Sequence, residues 1–203
     1  MSSETVTEFA KEFAKEFASL PTSVVSDALD RLGIKGQCSG VRAVAPQGMK
    51  LCGRAFTVQF LPCGPPDART PNGDISDYID DVPAGYVVAL DNRGSLESSV
   101  WDEAMTRRAH QRGIAGTVID GVCRDRTRAG ASPYSLFALG AHSRSGKDRV
   151  RVEAFNLPIV IGGVRVECDD ILLGDEDGLV VIPRDHLAPV LTAAREIAAA
   201  SLS

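Results

Sequence analysis

The sequence has no excess of basic residues: 22 Lys and Arg stand against 27 Asp and Glu, for a net charge of -5 and a pI near 5.2. Nothing in that balance draws the chain to nucleic acid or to an anionic membrane. No apolar run approaches the roughly 18–20 residues that span a bilayer. The N-terminal stretch, with Glu4, Glu8, Glu12 and Glu16, lacks the basic region and apolar core of a signal peptide. The five cysteines, Cys38, Cys52, Cys63, Cys123 and Cys168, are scattered and form no CxxC. That excludes a disulfide framework and a zinc-type ligand set, and predicts reduced thiols. Three distant histidines, His110, His142 and His186, offer no Ser–His–Asp arrangement. No glycine-rich strand–helix motif marks a nucleotide site, which removes a methyltransferase of menaquinone synthesis. Internal repeats and low-complexity tracts are also absent. A soluble, cytoplasmic protein is expected, with no nucleic acid or membrane partner.

What is present suits one compact domain over residues 1–203: 44% hydrophobic and 24% charged residues. Phe9, Phe13 and Phe17 recur at helical spacing, so residues 1–20 read as an N-terminal helical extension whose aromatic stripe packs on the body or on another subunit. Thr22 or Ser23 can cap a second helix that Gly33 ends. Short β-rich runs follow at Val41–Val44 and Arg54–Phe60, then a Pro-rich loop from Pro62 to Gly73 and a weak helix at Ile75–Val82. Tyr86–Leu90 is a buried strand ending in an Asp91–Ser95 turn. Residues 97–112 form an amphipathic helix, and Gly116–Ile119 is the next buried strand. Strand, helix, strand in that order predicts a parallel crossover. Leu136–Gly140, Leu157–Ile161, Val164–Val166, Ile171–Leu173 and Leu179–Ile182 read as further strands, and residues 185–203 carry the C-terminal helix.

Ligands of parallel sheets sit beyond the carboxyl ends of the strands. Two such places fall on neighbouring strands here: the Asp91–Glu97 turn, and the segment Asp120-Gly121-Val122-Cys123-Arg124-Asp125. Gly121 permits a sharp turn. Arg124 offers a planar fork for a carboxylate. Asp125 offers a hard oxygen, and one carboxylate is enough to hold a Mg²⁺ that keeps several waters. Alone, an Arg-Asp pair in a loop is far more often a surface ion pair than a site.

Several ordered pieces raise its significance. Val25–Asp30, Gly53-Arg54-Ala55-Phe56-Thr57-Val58, Val87–Asp91, Gly94-Ser95-Leu96, Gly113–Gly116, Asp120–Asp125 and Gly174–Pro183 together resemble the family of 4-hydroxy-4-methyl-2-oxoglutarate aldolases, oxaloacetate decarboxylases and the regulator of ribonuclease activity A. The resemblance covers roughly residues 20–190. It implies a layered α/β/β/α sandwich of the RraA-like (swivelling-domain) type, assembled as a homotrimer or a dimer of trimers. It implies Mg²⁺ or Mn²⁺ held by Asp125, with Arg124 binding the substrate and stabilising an enolate. The backbone of Asp102-Glu103-Ala104-Met105 would hold the carboxylate of a small 2-oxo acid. The implied reaction is cleavage of a 4-hydroxy-2-oxo acid to pyruvate, or decarboxylation of oxaloacetate.

Asp102 stands where the family has glycine, and could crowd or repel a substrate carboxylate, or reach a metal through water. Glu196 is the candidate for the acidic proton relay that a neighbouring subunit supplies in the family. The competing function is a non-catalytic regulator of a ribonuclease, for which a metal site has no purpose. Other features have structural readings: Asp175–Gly178 and Gly162-Gly163 as hairpin turns, Cys123 as a small core residue, Trp101 as core, His110 as a solvated helix residue, His142 as part of a polar loop from which it could approach a site, and Arg126 and Arg128 as solvated loop residues.

Overall fold

The computed structural model describes residues 12–44, 48–63, 75–126 and 133–200. Phe9, Arg128 and most of the Pro62–Gly73 loop lie outside them. The first helix, α1, is described over residues 12–18. Then come α2 (Thr22–Arg31), β1 (Gln37–Cys38), β2 (Arg42–Ala43), β3 (Leu51–Pro62), a 3₁₀ turn (Asp77–Asp81), β4 (Tyr86–Ser99), α3 (Glu103–Gln111) and β5 (Gly116–Cys123). They are followed by β6 (Ser135–Ala141), β7 (Val150–Phe155), β8 (Ile159–Ile161), β9 (Val164–Val166), β10 (Ile171–Asp175), β11 (Gly178–Ile182) and α4 (Leu187–Ala200).

Nine strands form one mixed sheet in the order β1-β11-β10-β3-β4-β5-β6-β2, with β7 added on β3; β8 and β9 pair separately. The pairs β3–β4, β4–β5 and β5–β6 are parallel, as the strand–helix–strand order predicts for β4–α3–β5.

Side-chain alternation shows how the layers stack. On β10, Ile171 and Leu173 join Phe17, Val25, Leu29, Val190 and Ala194 beneath the terminal helices, while Leu172 points the other way. Leu172 meets Val87 and Ala89 of β4, together with Val118, Phe137 and the β8–β9 hairpin. On the far face of β4, Val88 and Leu90 pack with Trp101, Met105 and Ala109 against α3. The order through the molecule is therefore helices, β10–β11, β3–β6, then α3, the layered α/β/β/α arrangement expected. Each fully buried Leu, Ile or Phe in these layers contributes roughly 1.5–3 kcal/mol.

Several boundaries differ from expectation. The polypeptide does not leave β4 at Ser95. Arg93 (φ 57°) and Gly94 (φ 68°) make the expected turn, and the strand then resumes to Ser99. Helix α3 starts at Glu103 rather than 97, because Ser99 and Val100 are engaged in backbone bonds to Arg144, Val122 and the 142–146 loop. Gly113, at φ 71°, ends α3 as predicted, with the amide of Ile114 returning to the carbonyl of Ala109. Ile75–Val82 contains only a 3₁₀ turn, and β7 was not foreseen. Neither Thr22 nor Ser23 caps α2: Pro21 holds the cap position, and no side chain of its own bonds the first turn. No helix among the described residues is long and apolar enough to cross a membrane.

Candidate functional site

The segment Asp120–Cys123 is not a turn. It is the end of β5, and Gly121 is glycine for lack of space: a Cβ there would lie 3.0 Å from Asn92 Cβ and 3.3 Å from the Ser95 carbonyl oxygen. The turn comes at Arg124-Asp125. Arg124 donates its amide to the Trp101 carbonyl at 2.9 Å, which ties the end of β5 to the entry of α3. Asp125 then adopts φ 56°, a left-handed conformation that Asp tolerates better than most residues.

Asp102 is the N-cap of α3. Its Oδ1 accepts the Met105 amide at 3.1 Å, and its Oδ2 accepts Arg124 Nη2 at 2.8 Å. Of the two outcomes left open for Asp102 by the sequence, the structure shows neither directly: the carboxylate turns onto Arg124. The amides of Glu103 and Ala104, the other donors of the first turn, have no partner among the described residues. Glu103 faces Arg107 at 3.7 Å one helical turn on. Met105 is buried, so its contribution to the site is its backbone.

The Asp125 carboxylate approaches Arg124 Nε at 3.6 Å and keeps 44% of its side-chain surface exposed. Its oxygens are thus not tied down by short hydrogen bonds. Among the described residues no group of three His, Cys, Asp or Glu could cage an ion. A lone hard carboxylate beside open space fits a divalent ion such as Mg²⁺ that keeps most of its water. It does not fit zinc chemistry.

The loop after β6, from which the sequence reading allowed that His142 could approach a site, forms part of the rim. The His142 amide donates to the Cys123 carbonyl at 2.8 Å, so the loop after β6 runs beside the Arg124 turn. His142 Nδ1 in turn accepts the Arg144 amide at 3.0 Å. Gly146 packs on the Ser99 carbonyl so closely that a Cβ would sit 2.5 Å from its oxygen. The β5–β6 register, which brings Cys123 beside Ala141, is what places His142 there.

Other candidates take structural places. Trp101 is buried, donates to Thr106 Oγ1 at 2.9 Å and stacks on Tyr134. His110 is exposed on α3 and meets Tyr134 edge-on. Arg126 is not a free cation in a solvated loop, since its Nε donates to the Val44 carbonyl. Burial pushes the Cys123 thiol up to about 11, so it is no thiolate nucleophile at neutral pH. Glu196 pairs with Arg31 at 2.9 Å in the α2–α4 layer, with the sheet between it and α3 of its own chain, a placement that bears on this chain's site and not on a neighbouring subunit's. A separate cavity, lined by Lys15, Cys52, Arg54, Gly85 and Tyr86, lies at the opposite, N-terminal end of the parallel strands and holds none of the predicted site residues.

With this geometry in place, the sequence profile described as RraA-like, Aldolase/RraA, matches residues 22–181. The chain belongs to the RraA-like family. It is 36% identical over 167 residues to Protein DlpA of Legionella pneumophila, covering 82% of this chain but 27% of that protein, so it spans about a quarter of that relative's length. It is 31% identical over 112 residues to the 4-hydroxy-4-methyl-2-oxoglutarate aldolase of Thermus thermophilus, covering 55% of this chain and 68% of that one. The crystal structure of an uncharacterized Pseudomonas syringae protein superposes with a TM-score of 0.83 at 37% identity, over 92% of this chain and 86% of that one. RraA-like relatives thus include proteins that bear an aldolase name, and the fold is the family's.

Proposed function

We propose that this RraA-like chain is a divalent-metal-dependent carbon–carbon lyase. It would cleave 4-hydroxy-2-oxo acids, the class to which 4-hydroxy-4-methyl-2-oxoglutarate belongs, or decarboxylate oxaloacetate, in each case through the enolate of pyruvate. The observation that carries this reading is the convergence of Arg124, Asp125 and the open first turn of α3 at the carboxyl end of β5.

In this reading Asp125 would hold Mg²⁺ or Mn²⁺, which would supply Lewis acidity toward the 2-oxo group. The amides of Glu103 and Ala104 seat a substrate carboxylate, a use suited to a helix N-terminus. The bond between C3 and C4 breaks, its electrons move onto the C2 oxygen, and the Arg124 guanidinium stabilises the charge that develops there. In cleavage the C4 hydroxyl must also lose a proton, and C4 leaves as a carbonyl compound. In decarboxylation C4 leaves as CO₂ and no such base is needed. Either way the enolate takes a proton at C3 to give pyruvate. The sites of the family lie near subunit boundaries, so a homotrimer or dimer of trimers is part of the proposal.

The test is a coupled pyruvate assay over a panel of 4-hydroxy-2-oxo acids and oxaloacetate, with and without Mg²⁺ or Mn²⁺. Pyruvate release that needs the ion and is blocked by oxalate, an enolate mimic, supports the reading. No metal-dependent release from any member of the panel sinks it. A purely regulatory protein would show that result, together with capture of a ribonuclease partner.

A further inference from the structure

The cavity between α1 and the first residues of β3 and β4 has a volume of about 720 Å³ and is lined in part by Arg54. Ligands of parallel sheets usually sit beyond the carboxyl ends of the strands, so nothing in the sequence marks this opposite end. Strand pairing sets Arg54 beside Tyr86, and the guanidinium lies over the Tyr86 ring, 4.9 Å from its centroid. Arg54 Nη2 donates to Asp169 Oδ1 at 2.8 Å, and the Tyr86 hydroxyl donates to the same oxygen at 3.1 Å. Only 6% of the Arg54 side chain is exposed, yet Nε and Nη1 have no acceptor among the described residues. Folded proteins pair nearly all such buried donors, so two on one side chain beside a cavity point to an anionic acceptor. The ring and the Asp169 carboxylate also hold the guanidinium in place before any ligand arrives, which lowers the cost of binding.

The surroundings decide which anion fits. Ala18, Cys52, Ala84 and Ala115 give the cavity small, apolar walls. Burial pushes the Cys52 thiol up to about 12, so it is neutral, and its Sγ donates to the Ala14 carbonyl of α1 at 3.1 Å. Arg54 is balanced by Asp169, and Lys15 at the exposed mouth stands near Glu12. Glu16 is already paired with Arg195. No net positive charge is left to balance a heavily charged phosphate. A single carboxylate adds the least charge, and a short hydrocarbon body suits the walls.

We propose that this cavity is a second ligand site, for a small monocarboxylate. Its carboxylate accepts from Arg54, and its apolar body lies against Ala18, Cys52, Ala84 and Ala115. Since α1 forms one wall, the ligand also fastens α1 to the sheet. The site shares no residue with the lyase reading, so either stands or falls alone.

The test is isothermal titration calorimetry of the full chain with sodium butyrate, and with sodium phosphate as the second probe. The wild type should bind butyrate with a Kd of about 1 mM or tighter, within reach of so small a ligand. Phosphate should bind at least about tenfold more weakly. Arg54→Met removes the donors and should weaken butyrate at least about tenfold. Because that change leaves Asp169 without its cation, Lys15→Glu is the second variant: it lies on the exposed side of α1, should keep its fold and should lose about threefold. Arg124→Met should bind butyrate like the wild type. Butyrate should also slow amide hydrogen exchange over residues 12–18 and leave α3 unchanged. The proposal is overturned if the wild type does not bind butyrate, or if phosphate binds as tightly. Loss of binding in Arg124→Met, or slowed exchange in α3 instead of α1, would move the anion to the other end of the sheet and overturn it too. So would unchanged affinity in Lys15→Glu together with a folded Arg54→Met.

Discussion

Asp91 and Asp120 are direct partners in the parallel β4–β5 register, so their carboxylates share one face of the sheet. Asp91 is buried, and Asp120 Oδ1 accepts the Gly162 amide of the β8–β9 hairpin at 2.9 Å. Burial pushes the Asp120 carboxyl above its usual range; the Gly162 amide opposes this, the neighbouring Asp91 charge adds to it, and the Gly94 amide opposes it more weakly. A carboxyl raised on folding favours the native state most below its unfolded pKa, and that stability is lost as pH rises through the folded value. Asp120→Asn keeps an oxygen for Gly162 and removes the charge. Its melting point at neutral pH should exceed the wild type's by about 2–4 °C. The gain should vanish near about pH 3, where the wild-type carboxyl is protonated. Equal or lower stability at neutral pH would contradict this account.

Asp175 behaves in the opposite sense. Its carboxylate accepts the Thr22 amide at 2.9 Å and the Thr22 hydroxyl at 2.5 Å, capping α2 from the β10–β11 hairpin. Burial pushes its pKa up, but the Thr22 hydroxyl and amide and the amides of Asp177 and Gly178 outweigh it, and the net direction is down. A depressed carboxyl contributes stability above its unfolded pKa and loses it as pH falls through the folded value. Asp175→Ala should therefore cost about 1 kcal/mol in urea unfolding at neutral pH, the usual size of a lost cap. The difference from wild type should shrink steadily on acidification; a constant difference would mean the loss is not one of charge.

That cap also shows where the sequence stopped being readable. Thr22 looked like a local cap because the helix signal is local, yet its partner lies 153 residues away. The layered arrangement was implied by the family resemblance and not by periodicity: Tyr86–Leu90 and Ile171–Leu173 are apolar throughout, and only the structure shows Val88 with Leu90, and Ile171 with Leu173, facing away from Val87, Ala89 and Leu172. Strand β7 was overlooked although its signal is present: Val150, Arg151, Val152 and Glu153 alternate apolar and charged residues, the period of a half-buried strand, at the edge of a polar loop. At the candidate site, Arg124 and Asp125 were marked by the family motif and by their position after a buried strand, and the structure sets Arg124 beside the start of α3. The partner of Arg124 was not, because no periodicity says that an N-cap carboxylate will turn its second oxygen to a strand end.

Gly121 couples the sheet to the site. The space that a methyl group would need is filled by Asn92, whose Cβ would be 3.0 Å away, and by the Ser95 carbonyl oxygen at 3.3 Å. Gly121→Ala should destabilise the protein by about 1–3 kcal/mol, as overpacking does in a closed interior. It should also weaken Mg²⁺ binding, because relief requires β4 and β5 to part just before Arg124. Unchanged Mg²⁺ affinity in a destabilised variant would show that the strain is absorbed on the Asn92 side alone.

Arg124 and Asp125 are adjacent but are proposed for separate tasks, so their variants should fail differently. Asn adopts the left-handed conformation of position 125 as readily as Asp. Asp125→Asn should therefore melt within about 2 °C of the wild type, the scale of a surface change in a domain of this size. It should lose Mg²⁺ affinity and metal-dependent pyruvate release by about a hundredfold. Arg124→Lys keeps the charge and loses the planar fork that holds Asp102 and that, in the proposed reaction, would face the C2 oxygen. It should bind Mg²⁺ like the wild type and lose kcat by about a hundredfold, the order seen when one transition-state donor is removed. Titration calorimetry with Mg²⁺ and steady-state kinetics on the same preparations separate the two. If Asp125→Asn binds Mg²⁺ undiminished, the ion is held elsewhere; if Arg124→Lys turns over normally, Arg124 serves only to anchor Asp102.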